Sequence, residues 1–290
     1  MATAKSAKGT TILEFDKEAI RLREEEVGRE SDEDILARLK ERFDVLTEMA
    51  IAIRRGVIKA LIVSGPPGVG KSHNIDKVMT KGNIVEILSG KPKKYEFVKG
   101  GAISALGLYR KLYEYRNKGQ VVIFDDCDSV LLDEVCLNIL KGALDSSEKR
   151  IISWNTDSRV LRTEEIPDRF EFKGAVIFIT NLKFDFVKSK RLREHLSALE
   201  SRCHYIDLQM DTQREKMLRI NQIVNETDML ERYEFKEGVK EELLQYIDDN
   251  KHKLRELSLR MVLKIADLYK SFPKAWKATA ATTCMRRNIS

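Results

Sequence analysis

The run Gly65-Pro66-Pro67-Gly68-Val69-Gly70-Lys71-Ser72 constrains this chain more than any other feature, because it sets glycines, a lysine and a hydroxyl at the fixed spacing GxxxxGK[ST]. Glycines at these positions let a short loop turn its backbone N–H groups inward around an anion with several oxygens. A helix starting at the lysine adds its free N-terminal amides and positive dipole end. The pattern is short, so its surroundings decide its meaning. Before it stands Ala60-Leu61-Ile62-Val63, a continuous apolar run of the kind a strand buried on both faces of a parallel sheet requires. After it, Ser72–Met79 reads as a helix. A buried strand, a glycine loop and a helix in that order form a phosphate-binding loop, with Lys71 directed at the β- and γ-phosphates of a nucleoside triphosphate and the Ser72 hydroxyl at Mg²⁺. Gly65, Pro66, Pro67, Gly68, Val69, Gly70, Lys71, Ser72 and His73 are the expected binding residues.

Further runs repeat the buried-strand character: Val121–Phe124 and Ala175–Ile179 strongly, Tyr95–Val98 more weakly, and Tyr205–Leu208 last. Helical stretches Ala102–Tyr115 and Val130–Leu144 separate them, which predicts βαβ units and a parallel sheet. Ahead of the first strand, Ser31 and Asp34 open a helix carrying Ile35, Leu36, Leu39, Phe43, Leu46 and Met49, ending near Gly56. Beyond residue 208 the pattern is wholly helical, over 211–225, 238–249 and 256–270. The expected organisation is a polar arm over 1–30, an α/β domain over 31–208, an α-helical lid over 209–275 and a tail over 276–290.

A second acidic element belongs at the end of another buried strand, and Val121-Val122-Ile123-Phe124-Asp125-Asp126 supplies it. Asp125 is expected to hold Mg²⁺, which takes few carboxylates and keeps several waters. Asp126 is expected to orient the attacking water. At this point the chain resembles the AAA+ superfamily of P-loop ATPases, whose members usually carry an Asp-Glu pair here; this chain has Asp125-Asp126, then Asp128. The shorter Asp126 stands one methylene further from the water, which puts fast turnover in doubt. Val176-Ile177-Phe178-Ile179-Thr180-Asn181 resembles the strand that places the family's polar sensor, so Asn181 is expected beside the γ-phosphate. The resemblance implies ATP and Mg²⁺ as the ligands and an AAA+ fold, a parallel-sheet P-loop core followed by a small helical lid.

Two matches imply assembly. Leu199-Glu200-Ser201-Arg202-Cys203 resembles the Ser-Arg-Cys box of clamp-loader ATPases, in which the arginine reaches a neighbouring subunit's γ-phosphate; Arg202 is the expected finger, with Arg169 and Arg193 as alternatives. Leu257-Ser258-Leu259-Arg260-Met261 resembles the second sensor, which assigns Arg260 to the nucleotide of its own subunit. A homo-oligomeric ring or open ring, a hexamer or pentamer, follows from that resemblance. The compact size also resembles small replication-associated and phage-encoded members.

The substrate is less legible. Where peptide-threading relatives carry an aromatic residue, Val98-Lys99-Gly100-Gly101 carries a cation, which suits a phosphate backbone. Arg150-Ile151-Ile152-Ser153-Trp154 and Arg169-Phe170-Glu171-Phe172-Lys173 alternate as a hairpin does. Arg159 and Arg162 in its connection are candidate phosphate contacts, and Trp154 is assigned to core packing. DNA, a replication partner or another protein partner all remain open, as does a slow nucleotide-controlled scaffold. The net charge of +6 attracts polyanions without identifying one. With no run of 18 apolar residues, no membrane partner is expected. Four scattered cysteines, Cys127, Cys136, Cys203 and Cys284, form no CxxC pair and fit a reducing cytoplasm.

Overall fold

The computed structural model describes residues 25–286 apart from 183, 185 and 186. Seven strands occur among them: β1 (Ala60–Ser64), β2 (Tyr95–Lys99), β3 (Val121–Asp125), β4 (Ile151–Ser153), β5 (Arg169–Glu171), β6 (Ala175–Thr180) and β7 (His204–Asp207). Five of these make one parallel sheet in the order β2-β3-β6-β1-β7. Every residue of β1, β3 and β6 is buried, which is why these strands read as unbroken apolar runs. The two outer strands are partly exposed, and their sequence signal is weaker.

Parallel strands need crossovers, and helices supply them. The helices of this part of the chain are α1 (Asp32–Arg54), α2 (Lys71–Gly82), α3 (Ile84–Leu88), α4 (Ala105–Glu114), α5 (Asp128–Leu132), α6 (Glu134–Ala143), α7 (Arg159–Thr163) and α8 (Lys190–Glu200). Ser31 caps α1 as its sequence predicts, accepting the Asp34 N–H at 3.1 Å. The single helix expected over Val130–Leu144 is instead two. Asp133 breaks it by adopting extended backbone, and its carboxylate accepts the Cys136 N–H at 2.8 Å to start α6 afresh.

β4 and β5 pair antiparallel, with Ile152 opposite Phe170, forming the expected hairpin. Its connection contains α7, a turn of helix capped by Ser158. Trp154 packs against Tyr109, 5.5 Å between ring centroids, and joins the core. Arg150 is buried, with the charge of Glu171 acting on it. Its guanidinium donates to the carbonyls of Ala143, at the free C-terminal end of α6, and of Gly174, both at 3.0 Å. Burial holds its pKa below the ordinary arginine value.

The chain divides into two compact units. One comprises Arg42–Gly65 and Gly70–Leu208, built on the parallel sheet; the other gathers the chain before Arg42, Pro66–Val69, and Gln209 onward. The second has its own helical core, from α9 (Gln213–Glu226), α10 (Val239–Asp249), α11 (Leu259–Ser271) and α12 (Trp276–Cys284). The α/β core followed by a helical unit is the fold class the sequence predicts. The segment read as a tail from 276 instead carries α12, with Trp276 and Cys284 buried against Tyr246 and Tyr269 among others. Of the expected N-terminal arm, residues 1–24 lie outside the described residues. Val27 is buried, and Glu30 pairs with Arg38 at 2.9 Å.

Candidate active site

The carboxyl ends of β1, β3 and β6 bring the expected chemistry together. Gly65, the first residue after β1, has φ +150 and lies so close to Leu208 that an added Cβ would stand 3.0 Å from that residue's carbonyl oxygen. Gly70, at φ +100, is the N-terminal flank of α2. Between them Gly68 adopts φ +71, and a Cβ there would come 2.7 Å from the Ser258 Cβ. Only glycine meets both demands, left-handed backbone and close approach. Leu259 N–H donates to the Gly68 carbonyl at 3.0 Å, and Arg260 follows directly, its Cγ in contact range of the same glycine position.

Lys71 opens α2 and is buried. Its ammonium donates to Gly65 O at 2.5 Å and to Asn181 Oδ1 at 2.7 Å. Asn181 follows β6, and its Nδ2 donates to Asp126 Oδ1 at 2.9 Å. Ser72 Oγ donates to Asp125 Oδ1 at 2.7 Å. Asp125 ends β3 and is buried; burial raises its carboxyl pKa, with the Ser72 hydroxyl opposing and the Asp126 charge adding to the rise. Asp126 is exposed and sits at φ +53, a left-handed conformation that costs a non-glycine residue about 1 kcal/mol.

The neighbouring hydroxyl and carboxylate of Ser72 and Asp125 are hard oxygen donors, the set Mg²⁺ takes alongside water and phosphate. No cluster of three or more His, Cys, Asp or Glu arranged to hold a metal occurs among the described residues. A divalent ion here would therefore rest on one protein carboxylate and one hydroxyl.

Other expected residues stand apart from this group. Arg202 is exposed just beyond α8 and donates to Ala198 O at 2.5 Å, closing the end of its own helix. Arg193 is exposed on α8, and Arg169 is exposed on β5 opposite Ser153. His73 is exposed in the first turn of α2. Lys99 is the last residue of β2, in register with Asp125, its ammonium 5.0 Å from the Phe97 ring centroid. The chain turns only after it, where Gly100 and Gly101 take φ +54 and +95. Arg159 and Arg162 share α7; Arg162 pairs with Asp157 at 2.8 Å.

Two features escaped sequence reasoning. Thr180 is fully buried, and its hydroxyl donates to Asp128 Oδ1 at 2.7 Å. In the helical unit, Val69, Met210, Ile220, Leu257 and Leu259 line a small apolar niche with Lys216 and Arg219 at its margin. Its residues are scattered over 190 positions of sequence, so no local pattern announces it.

No described helix is long and apolar enough to cross a membrane. No protein-family model matches the chain. A crystal structure of a DNA replication initiation factor aligns with TM-score 0.40 and 13% identity, over 79% of this chain and 59% of that one, too slight a likeness to carry an argument. The present chain thus spans about three fifths of that solved chain. In sequence, 275 residues are 34% identical to an uncharacterised 36.7 kDa protein of the nrdC-mobD intergenic region of Enterobacteria phage T4, covering 94% of this chain and 82% of the relative. The chain belongs to the family of that phage T4 protein.

Proposed function

We propose that the chain is an oligomeric Mg²⁺-dependent ATPase of AAA+ type that couples ATP binding and hydrolysis to loading or remodelling on DNA. One observation carries the ATPase reading: Lys71, Asn181 and Asp126 form a hydrogen-bonded series at the strand ends, beside the Ser72–Asp125 pair. In this reading the loop amides and Lys71 hold the triphosphate. Asn181 and Asp126 stand where a water can be aligned with the γ-phosphorus, Asp126 accepting the water's hydrogen bond. Mg²⁺, held by Ser72 and Asp125, would neutralise phosphate charge.

A DNA substrate is favoured by the arginines of the hairpin connection, with which the basic balance of the chain is compatible. Arg202 is the proposed finger for a neighbouring copy, and Arg260 the proposed sensor. The test is ATP turnover with and without single- and double-stranded DNA, against Lys71→Ala as background. Turnover above background that rises with DNA and falls with salt is expected. Turnover at background level would remove the ATPase reading, and turnover indifferent to both DNAs would remove the substrate.

A slow-turnover scaffold is the second reading, favoured by the short reach of Asp126. It expects Asp126→Glu to raise kcat by roughly tenfold, the scale of a repositioned general base. An unchanged rate removes it.

A further inference from the structure

We infer that Asp128 is a positioning residue for hydrolysis, acting through Thr180 to fix Asn181 and Asp126; this rests on the ATPase reading above. Asp125 ends β3, Asp126 follows it and Asp128 opens α5, while Thr180 ends the adjacent strand β6 and Asn181 follows it. The Thr180 hydroxyl donates to Asp128 Oδ1 at 2.7 Å and accepts the Leu182 N–H at 2.9 Å. One buried hydroxyl thereby fixes the backbone on both sides of Asn181. The Asn181 side chain then has its direction set before it reaches Asp126 Oδ1 at 2.9 Å.

The same strand holds the turn at a second point. The Asp126 N–H donates to Ile179 O at 3.0 Å, while Asp128 is tied two residues further on. A turn pinned at two separated residues cannot rotate about either bond, and this pinning keeps Asp126 in its left-handed conformation. The bond from Thr180 is a hydroxyl donating to an ionised acceptor, the stronger class of hydrogen bond. The effect of Asp128 on the chemistry passes through Thr180, whose hydroxyl it accepts.

The experiment measures kcat and KM for ATP, and affinity for a fluorescent ATP analogue with Mg²⁺, in wild type, Thr180→Val, Thr180→Ser, Asp128→Ala, Asp128→Asn and Lys71→Ala. Misplacing a reacting group by about 1 Å costs on the order of 100-fold. Thr180→Val and Asp128→Ala are therefore expected to lower kcat at least about tenfold, with KM and analogue affinity within about twofold of wild type. Thr180→Ser keeps both hydrogen bonds and is expected to recover kcat to within about threefold. A purely structural role would not separate kcat from KM in this way. If Thr180→Val does not fold, Asp128→Ala, altered at a partly exposed residue, carries the test with the same separation of kcat from KM. Wild-type turnover equal to Lys71→Ala would overturn the ATPase reading and this inference together. Wild-type turnover well above that background, with Thr180→Val or Asp128→Ala unchanged in kcat or altered in KM instead, would overturn this inference alone.

Discussion

Asn181 Nδ2 donates to Asp126 Oδ1 across 2.9 Å, joining the residue after β6 to the exposed carboxylate after β3. The contact fixes one oxygen of the Asp126 carboxylate. Asp126→Asn preserves size and tolerance of left-handed backbone but removes the basic oxygen. It is expected to lower kcat for ATP about 100-fold or more while nucleotide affinity stays near wild type. Equal kcat in the two proteins would remove Asp126 from the chemistry.

The backbone at Asp126 yields a stability test separate from catalysis. Asp126→Ala and Asp126→Gly both lose the bond from Asn181, but only glycine occupies φ +53 without strain. The glycine variant is expected to be the more stable by about 1 kcal/mol, which for a chain of this size is roughly 2 to 3 °C in Tm. Thermal melts of the two variants decide it, and an alanine variant as stable as the glycine variant would show that the backbone is relaxed.

Much of this arrangement was legible because strands buried on both faces must be apolar throughout. Val121–Phe124 and Ala175–Ile179 therefore announced β3 and β6, and the residues ending those strands followed. Hydrogen bonds between distant residues leave no such trace. Thr180 and Asp128 are 52 positions apart, and nothing in either segment predicts their contact. The polar helix α8 went unread because only Leu196 and Leu199 in it are buried, too few to set a period. Helix α12 was hidden by its alanines and threonines, although Trp276 anchors it.

Glu215 is fully buried in the helical unit, where it completes a capping box with Thr212 and accepts from Arg38 at 3.1 Å. The guanidinium is about one quarter exposed, so the pair is partly screened. Its hydrogen bonds to Glu30 and Glu215 hold the Arg38 pKa above the usual value against the cost of burial. Arg38→Met removes this bond to the buried Glu215 carboxylate and is expected to cost roughly 2 to 3 kcal/mol, below the full penalty for breaking a buried pair. Urea unfolding measures this. A loss under about 0.5 kcal/mol would place the stabilisation in the capping box alone.

Burial pushes the thiols of Cys136 and Cys203 up to about 12. The thiolate is the reactive form, so at pH 8 both are expected to resist iodoacetamide in the native protein and to react in denaturant. Mass spectrometry of the labelled chain reads this directly. Rapid native labelling of Cys203 would mean that the end of α8 opens.

Arg202 closes its own helix by donating to Ala198 O, so service to a neighbouring copy requires it to exchange that carbonyl for phosphate oxygens. The exchange is favourable because a charged acceptor makes the stronger bond. Mixing two inactive proteins tests whether the exchange crosses between copies. Arg202→Ala keeps an intact triphosphate site but brings no finger, whereas Lys71→Ala keeps Arg202 but binds triphosphate poorly. In a mixed assembly some junctions combine the site of the first with the arginine of the second. Turnover in the mixture is therefore expected to exceed the sum of the separate proteins, and to peak near equal proportions. An arginine acting on its own chain gives no recovery at any ratio, because neither polypeptide then holds both parts.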